Sequence, residues 1–287
     1  MTARIVLVVA ALTLQEAARR KVLRALAVLT LALLALSAWG FANLISIEFE
    51  GGTFTTGELR LVASQVLNLV MFGLSLIAAL GTAFLAGPTL AGEIESGIAL
   101  SVMARPIRRS TVLLGKWLGL VVFGGGFVTV AGLAQFVIVW STVDYWPPRP
   151  VIGLALLAAQ TAVLLTLGLL LSTAVSPMAS GVVAVGLFGA TWIAGVVGGV
   201  GHGLGNESLA QVGTVSQVLL PTDGLWRGAM HAFQDSSALA EFGGPAMQGG
   251  FPFLSRAPLT AAYLTWTGFW IALVLGLAAL AFRRRDL

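Results

Sequence analysis

The chain has 287 residues, 57% of them hydrophobic and only 10% charged, at a mean hydropathy of +0.95. Soluble domains carry roughly a quarter charged residues, so this chain cannot cover a water-facing surface and reads as an integral membrane protein. It has no cysteine, which excludes a disulfide framework and thiolate metal sites. Its net charge of +4 points to topology and anionic lipid before nucleic acid.

Ile5 to Leu14 is an apolar run of signal-peptide length behind Arg4, but QEAARRKVLRAL follows it instead of a small-residue cleavage site. Residues 1–24 are therefore expected to form an interfacial helix, with Glu16, Arg19, Arg20 and Lys21 among lipid headgroups. The alternative is a solvated basic flank that only sets orientation.

Roughly 20 residues of helix cross the hydrocarbon of a bilayer. Uncharged runs of that length recur and predict spans at about 25–47, 61–87, 117–140, 151–171, 179–200 and 259–282. The uncharged run of 57 residues from Pro150 to Asn206 is too long for one span, and it divides at LSTAVSPM, where Pro177 favours a turn. The expected fold is a single all-α polytopic domain over 1–287 with six transmembrane helices.

Basic residues set the expected orientation. Arg4, Arg19, Arg20, Lys21, Arg24, Arg105, Arg108, Arg109, Lys116, Arg283, Arg284 and Arg285 fall on one side, against Arg60, Arg149, Arg227 and Arg256 on the other. This places both termini in the cytoplasm and the chain in the cell inner (cytoplasmic) membrane. The second outer loop, STVDYWPPRP, carries Tyr145 and Trp146 next to Trp140, an expected aromatic belt. The third, residues 201–258, is too long to lack structure. Short helices are expected at Ser208–Leu219 and Leu225–Phe233, lying on or dipping into the outer surface.

Several chemistries find no footing in these residues. Gly115-Lys116 is followed by Trp117 and lacks the upstream glycine of a phosphate loop, so no ATP hydrolysis is expected in this chain. Both histidines, His202 and His231, fall in the long loop, and neither HExxH nor a Ser–His arrangement is indicated. Met230, His231 and Met247 are too scattered for a copper site, so no metal is expected. GHGLGN at 201–206 follows no strand and reads as a turn at a helix end. The chain is expected not to be an enzyme.

Charge gathers between spans two and three, in the segment 88–116. Leu61 to Ala91 is uncharged, and then GEIESGIALSVMARPIRRSTVLLGKW (Gly92–Trp117) carries Glu93, Glu95, Arg105, Arg108, Arg109 and Lys116. Span two is over-long, so a helix could continue past the membrane with a kink at Pro88. Ile94, Ile98 and Val102 would form one apolar stripe on it, Pro106 would end it, and Ser110 would cap the next helix. Physics alone allows two readings: a projecting helix and turn, or a positive-inside loop with incidental acids.

These residues carry a resemblance. Glu93-x-Glu95-x-Gly97, then Arg105-Pro106-Ile107-x-Arg109, then Leu113 to Lys116 resembles the signature of ABC-2 type transporter permease subunits. The match departs from the family pattern at Ile98, where Thr is common, and at Arg108, where Ser is frequent. FRRRDL at the C-terminus resembles the family's ending. LLPTDGLWRG, with Pro221, Thr222 and Asp223, resembles a segment of the subgroup that includes nitrous-oxide-reductase maturation permeases.

The resemblance implies the membrane half of an ABC transporter, with a second permease subunit (a homodimer) and two copies of a separate ATPase that binds ATP and Mg. Glu93, Glu95, Gly97, Arg105, Pro106, Arg108, Arg109 and Lys116 would then form the coupling element of an exporter subunit, passing ATPase motion to the spans as a rigid-body displacement. The uncharged LSTAVSPM turn would be a second, smaller cytoplasmic contact. Another reading is a maturation-type or non-transporting subunit that passes motion to a periplasmic partner. Within the spans, Gln65 and Asn68 share one face, and Gln135 and Gln160 lie in or near spans three and four. They read either as interhelical glue or as cavity lining. No charged residue is expected deep in a span, and the clusters Gly124–Gly126 and Gly195–Gly199 suit close packing.

Overall fold

The computed structural model describes residues 2–44, 55–92, 108–242, 253–255 and 257–284. Most of these residues are helical, with no strand among them. In chain order the helices are α1 (Thr2–Arg19), α2 (Lys21–Leu44), α3 (Thr56–Gly87), α4 (Arg109–Val143), α5 (Pro150–Ser172), α6 (Pro177–Leu204), α7 (Glu207–Leu219), α8 (Thr222–Phe233), α9 (Ser236–Phe242) and α10 (Ala261–Arg284). Six of them, α2, α3, α4, α5, α6 and α10, are long and apolar enough to cross a membrane. The chain is a multi-pass membrane protein.

The spans follow the uncharged runs but extend beyond them. α3 starts five residues before the expected Leu61, because Thr55 and Glu58 form a capping box that recruits the polar flank into the helix. α4 starts at Arg109 instead of near Trp117, with Arg108 as N-cap. Ser110, expected from sequence to cap this helix, instead lies inside its first turn. The turn at 173–176 falls within LSTAVSPM, and Pro177 occupies the first turn of α6, where its missing N–H costs nothing.

α5 is the centre of the bundle, packed by α3, α4, α6, α8 and α10. Its two ends of close approach are Gly153, which faces the Phe233 ring of α8, and Gly168, which faces Ala86 of α3. α1 packs chiefly on α4 and barely on α2. A Cβ on Gly115 would lie 2.6 Å from Val9 Cβ, and one on Gly119 would lie 2.5 Å from the Ala10 carbonyl. This small-xxx-small pair lets the two backbones touch. α1 and the last turn of α10 sit at the same end of the bundle as Pro88–Gly92, since Arg109 reaches the carbonyls of Phe282 and Arg283. We call that end proximal and the opposite end distal.

Tyr145 is not part of an exposed aromatic belt. It is 3% exposed, and its hydroxyl donates to the Phe233 carbonyl at 2.6 Å. Asp144, in the left-handed conformation (φ 51°), turns the chain after α4 and aims Tyr145 inward. Burial pushes the Tyr145 hydroxyl above its usual range, helped by the nearby Asp235 carboxylate. Trp140 and Trp146 remain exposed and stack edge-on at 6.5 Å, as an interfacial pair should.

Candidate functional site

Two polar regions stand out, one at each end of the bundle. At the proximal end, α3 does not stop at Pro88 but widens into a π-helical turn, Pro88–Gly92. A π turn follows naturally where proline removes one i→i−4 hydrogen bond. Thr89 is buried, and its hydroxyl donates back to the Leu85 carbonyl. The Lys116 side chain is 6% exposed, and its Nζ donates to the Thr89 carbonyl at 2.7 Å. A charge-assisted bond thus ties the end of α3 to the second turn of α4. At Gly87, a side chain would collide with the Pro177 carbonyl at the start of α6, so three spans meet at this elbow.

Arg109 performs the equivalent job at the start of α4. Its Nη1 donates to the Phe282 carbonyl at 3.1 Å and the Arg283 carbonyl at 3.4 Å, and its guanidinium lies 5.9 Å from the Phe282 ring centroid. A cation on the last carbonyls of α10 complements that helix's dipole. Arg108, Arg109, Ser110 and Arg283 face a cleft of about 400 Å³. Of the sequence-predicted coupling residues, Arg108, Arg109 and Lys116 are therefore brought to one end of the bundle. Glu93, Glu95, Gly97, Arg105 and Pro106 lie outside the described residues, as does the expected helix over Glu93 to Met103.

At the distal end, α7 folds back along α6 and α8 returns beside α5. The expected helices are present with nearly the expected bounds, but they do not merely rest on the surface. Gly198 of α6 and Gly213 of α7 meet backbone to backbone, a Cβ on Gly198 falling 2.6 Å from Gly213 Cα. At the tip, the Thr222 and Thr191 hydroxyls are 3.0 Å apart. Thr191 lies thirteen residues before Leu204, so the tip reaches roughly 20 Å along α6 from its distal end at 1.5 Å per residue.

Charge is nevertheless buried in this part of the bundle, on a helix that is not one of the six spans. Asp223 is 3% exposed. Its Oδ2 accepts from Arg227 Nε and from Gln217 Nε2, both at 2.8 Å. Arg227 Nη2 also donates to the Gly195 carbonyl at 2.6 Å. The pair is one helical turn apart, so it enters the bundle as a neutral unit, with Gln217 adding a hydrogen bond to Asp223 and the Gly195 carbonyl accepting one from Arg227. Gly195 leaves the room that Asp223 occupies. Of the predicted outer-loop motif, Pro221 serves as the N-cap of α8, Thr222 makes the tip contact and Asp223 makes the ion pair.

The last carbonyls of α7 would be orphaned at this depth. They are instead received by one stripe of α10: Tyr263 Oη donates to Gln217 at 3.0 Å, Trp266 Nε1 to Val218 at 3.1 Å and Trp270 Nε1 to Leu219 at 2.8 Å. Sequence reasoning missed these three. Their signal was an aromatic donor recurring at i, i+3 and i+7.

The mid-span amides separate by partner. Gln135 donates to Ser37 at 2.6 Å, joining α4 to α2, and Gln160 accepts from Ser75 at 3.1 Å, joining α5 to α3. Asn68 donates to the Phe253 carbonyl at 3.3 Å, while its Oδ1 has no partner among the described residues. Both polar atoms of Gln65 are likewise buried without one among those residues. No group of three or more metal-ligating side chains occurs among the described residues. No protein-family model matches the chain, and no curated protein is significantly similar to it.

Proposed function

We propose that this chain is the membrane-spanning subunit of an ABC-2 type transporter, moving a substrate outward across the cytoplasmic membrane with ATP hydrolysed by a separate subunit. The observation that carries this reading is the anchoring of both flanks of residues 93–107. The leading flank is held by Lys116 on the Thr89 carbonyl, and the trailing flank by Arg109 on the ends of α10. A force applied to the segment between them would reach α3, α4 and α10 together, as a rigid-body displacement requires. The Glu93-x-Glu95-x-Gly97 and Arg105-Pro106 signature supplies the resemblance that names the partner.

In this reading the chain works as a pair, both termini face the cytoplasm, and α1 lies along the inner interface. The ATPase seats on 93–107 and provides the phosphate loop and its Mg site. The test is co-purification of the chain with a phosphate-loop ATPase and reconstitution of the pair. Glu95→Lys and Arg109→Glu should each abolish ATPase docking, or leave hydrolysis running while its dependence on the membrane subunit is lost. Docking and coupling unchanged in both variants would overturn the proposal.

A further inference from the structure

The proximal half of the bundle carries an apolar groove between α2 and α4, with a volume of about 580 Å³. Leu23, Ala27 and Leu31 form its wall on α2, and Phe123, Gly126 and Val130 form its wall on α4. Each set recurs at three- and four-residue steps, so the groove runs along both helices. From Leu23 to Leu34 it spans eleven residues, about 16 Å of helix, which matches one leaflet of a bilayer roughly 30 Å thick. Leu14 of α1 contributes to its proximal end.

The elbow between α1 and α2 stands at that end and is strongly basic. Arg19, Arg20, Lys21 and Arg24 fall within six positions, and Arg20 is engaged by Glu16. Arg19, Lys21 and Arg24 are exposed. None of the three has a hydrogen-bond or ion-pair partner among the described residues. Arg24 precedes Ala27 by three positions and Leu31 by seven, which puts it at the head of the same stripe.

We infer that this groove is a binding site for one anionic phospholipid, with an acyl chain along Leu23, Ala27, Leu31, Phe123, Gly126 and Val130 and the phosphate at Arg19, Lys21 and Arg24. Charge complementarity selects the occupant. A second copy of the chain could cover an apolar stripe, but it would leave three cations at its edge without anions, whereas a phospholipid satisfies tail and head in one molecule. Basic pockets at helix ends hold anionic headgroups by the same attraction. The inference needs only the membrane placement of α2 and α4 and stands apart from the proposed transport role.

Gly126 gives a clean probe, because a Cβ added there meets nothing within 4 Å. Gly126→Leu therefore fills the groove and leaves the core alone. The experiment is native mass spectrometry of the full chain, released from micelles holding equal amounts of palmitoyl-oleoyl phosphatidylglycerol and phosphatidylcholine. The wild-type chain should retain phosphatidylglycerol at least ~10-fold over phosphatidylcholine, since each basic residue near an anionic headgroup contributes on the order of a fivefold preference. The combined Arg19→Gln, Lys21→Gln, Arg24→Gln variant should lose that preference and keep the phosphatidylcholine level. Gly126→Leu should lower retention of both lipids, at an unchanged thermal midpoint.

Equal retention of the two lipids by the wild-type chain would overturn the inference. Phosphatidylglycerol held undiminished by Gly126→Leu would do the same. So would a Gly126→Leu variant that changes oligomeric mass while its lipid occupancy stays constant, which would assign the groove to a second copy. If Gly126→Leu fails to fold, the exposed charge variant decides alone: an unaltered lipid ratio there also overturns the site.

Discussion

The two polar ends of the bundle are built on opposite plans. The distal hairpin satisfies its charges locally: Gln217, Asp223 and Arg227 lie within eleven positions and meet the bundle at Gly195. The proximal elbow satisfies its charges across the chain, Lys116 reaching back 27 positions to Thr89 and Arg109 reaching forward 173 to Phe282. A local network makes one rigid insert, whereas a long-range one ties separate helices together at single points. The first kind of construction resists motion. The second permits helices to move as a set while keeping their ends joined.

The sharpest way to break this contrast is to remove a member of the local network. Asp223→Ala strands Arg227 and should cost about 3 kcal/mol or more, read as a lower thermal midpoint in detergent. Gly195→Ala should produce a similar loss, because its new methyl takes the place of the Asp223 carboxylate. If either variant unfolds like the wild-type chain, the hairpin is not held by its ion pair. Next in size, Trp270→Phe removes the donor to the Leu219 carbonyl and keeps the ring, and should cost ~1–3 kcal/mol for an orphaned buried acceptor.

Lys116→Met keeps the apolar stem and removes one charge-assisted bond. It should cost about 1–2 kcal/mol in stability, yet broaden the distance distribution between spin labels on α3 and α4 near the elbow. A distribution as narrow as the wild type's would show that the elbow does not depend on this bond. The smallest effect is expected at Asp235, outside the spans. Burial raises its carboxyl, but the Ser237 hydroxyl and the Ser237 and Ala238 amides outweigh it and hold the group below its ordinary value. That contribution is complete above the ordinary carboxylate range and disappears as pH falls through the lowered native value. Asp235→Asn keeps the accepting oxygen and loses only the charge, so it should cost well under ~1 kcal/mol at neutral pH and nothing at strongly acid pH, measured as the pH dependence of unfolding.

Hydropathy made the six spans legible, because uncharged runs near bilayer length have few other uses. It erred at their ends, where Glu58, Arg60, Arg109 and Lys116 belong to helices although they carry charge. The descent of α8 was not legible by the same means. Asp223 and Arg227 lower its average, and an average cannot register that the two charges neutralise one another. A better signal was the i, i+4 spacing of Gly224 and Gly228, which lays small residues against Tyr263, Leu156 and Leu259. The same limit applied to Gln65, Asn68, Gln135 and Gln160. Sequence shows that an amide is present within a span, while its partner (Ser37 for Gln135, Ser75 for Gln160) is a matter of packing.

The stripe Tyr263, Trp266 and Trp270 has a consequence for how the protein is made. Ribosomes deliver α7 and α8 before α10, so at that moment the carbonyls of Gln217, Val218 and Leu219 have no donors from α10. A hairpin tip with three bare carbonyls is stable near water and unstable in hydrocarbon. Its packing into the bundle is therefore expected to follow the arrival of the final helix, and nascent chains cut before residue 263 should leave the tip open to water-soluble reagents that the finished protein excludes.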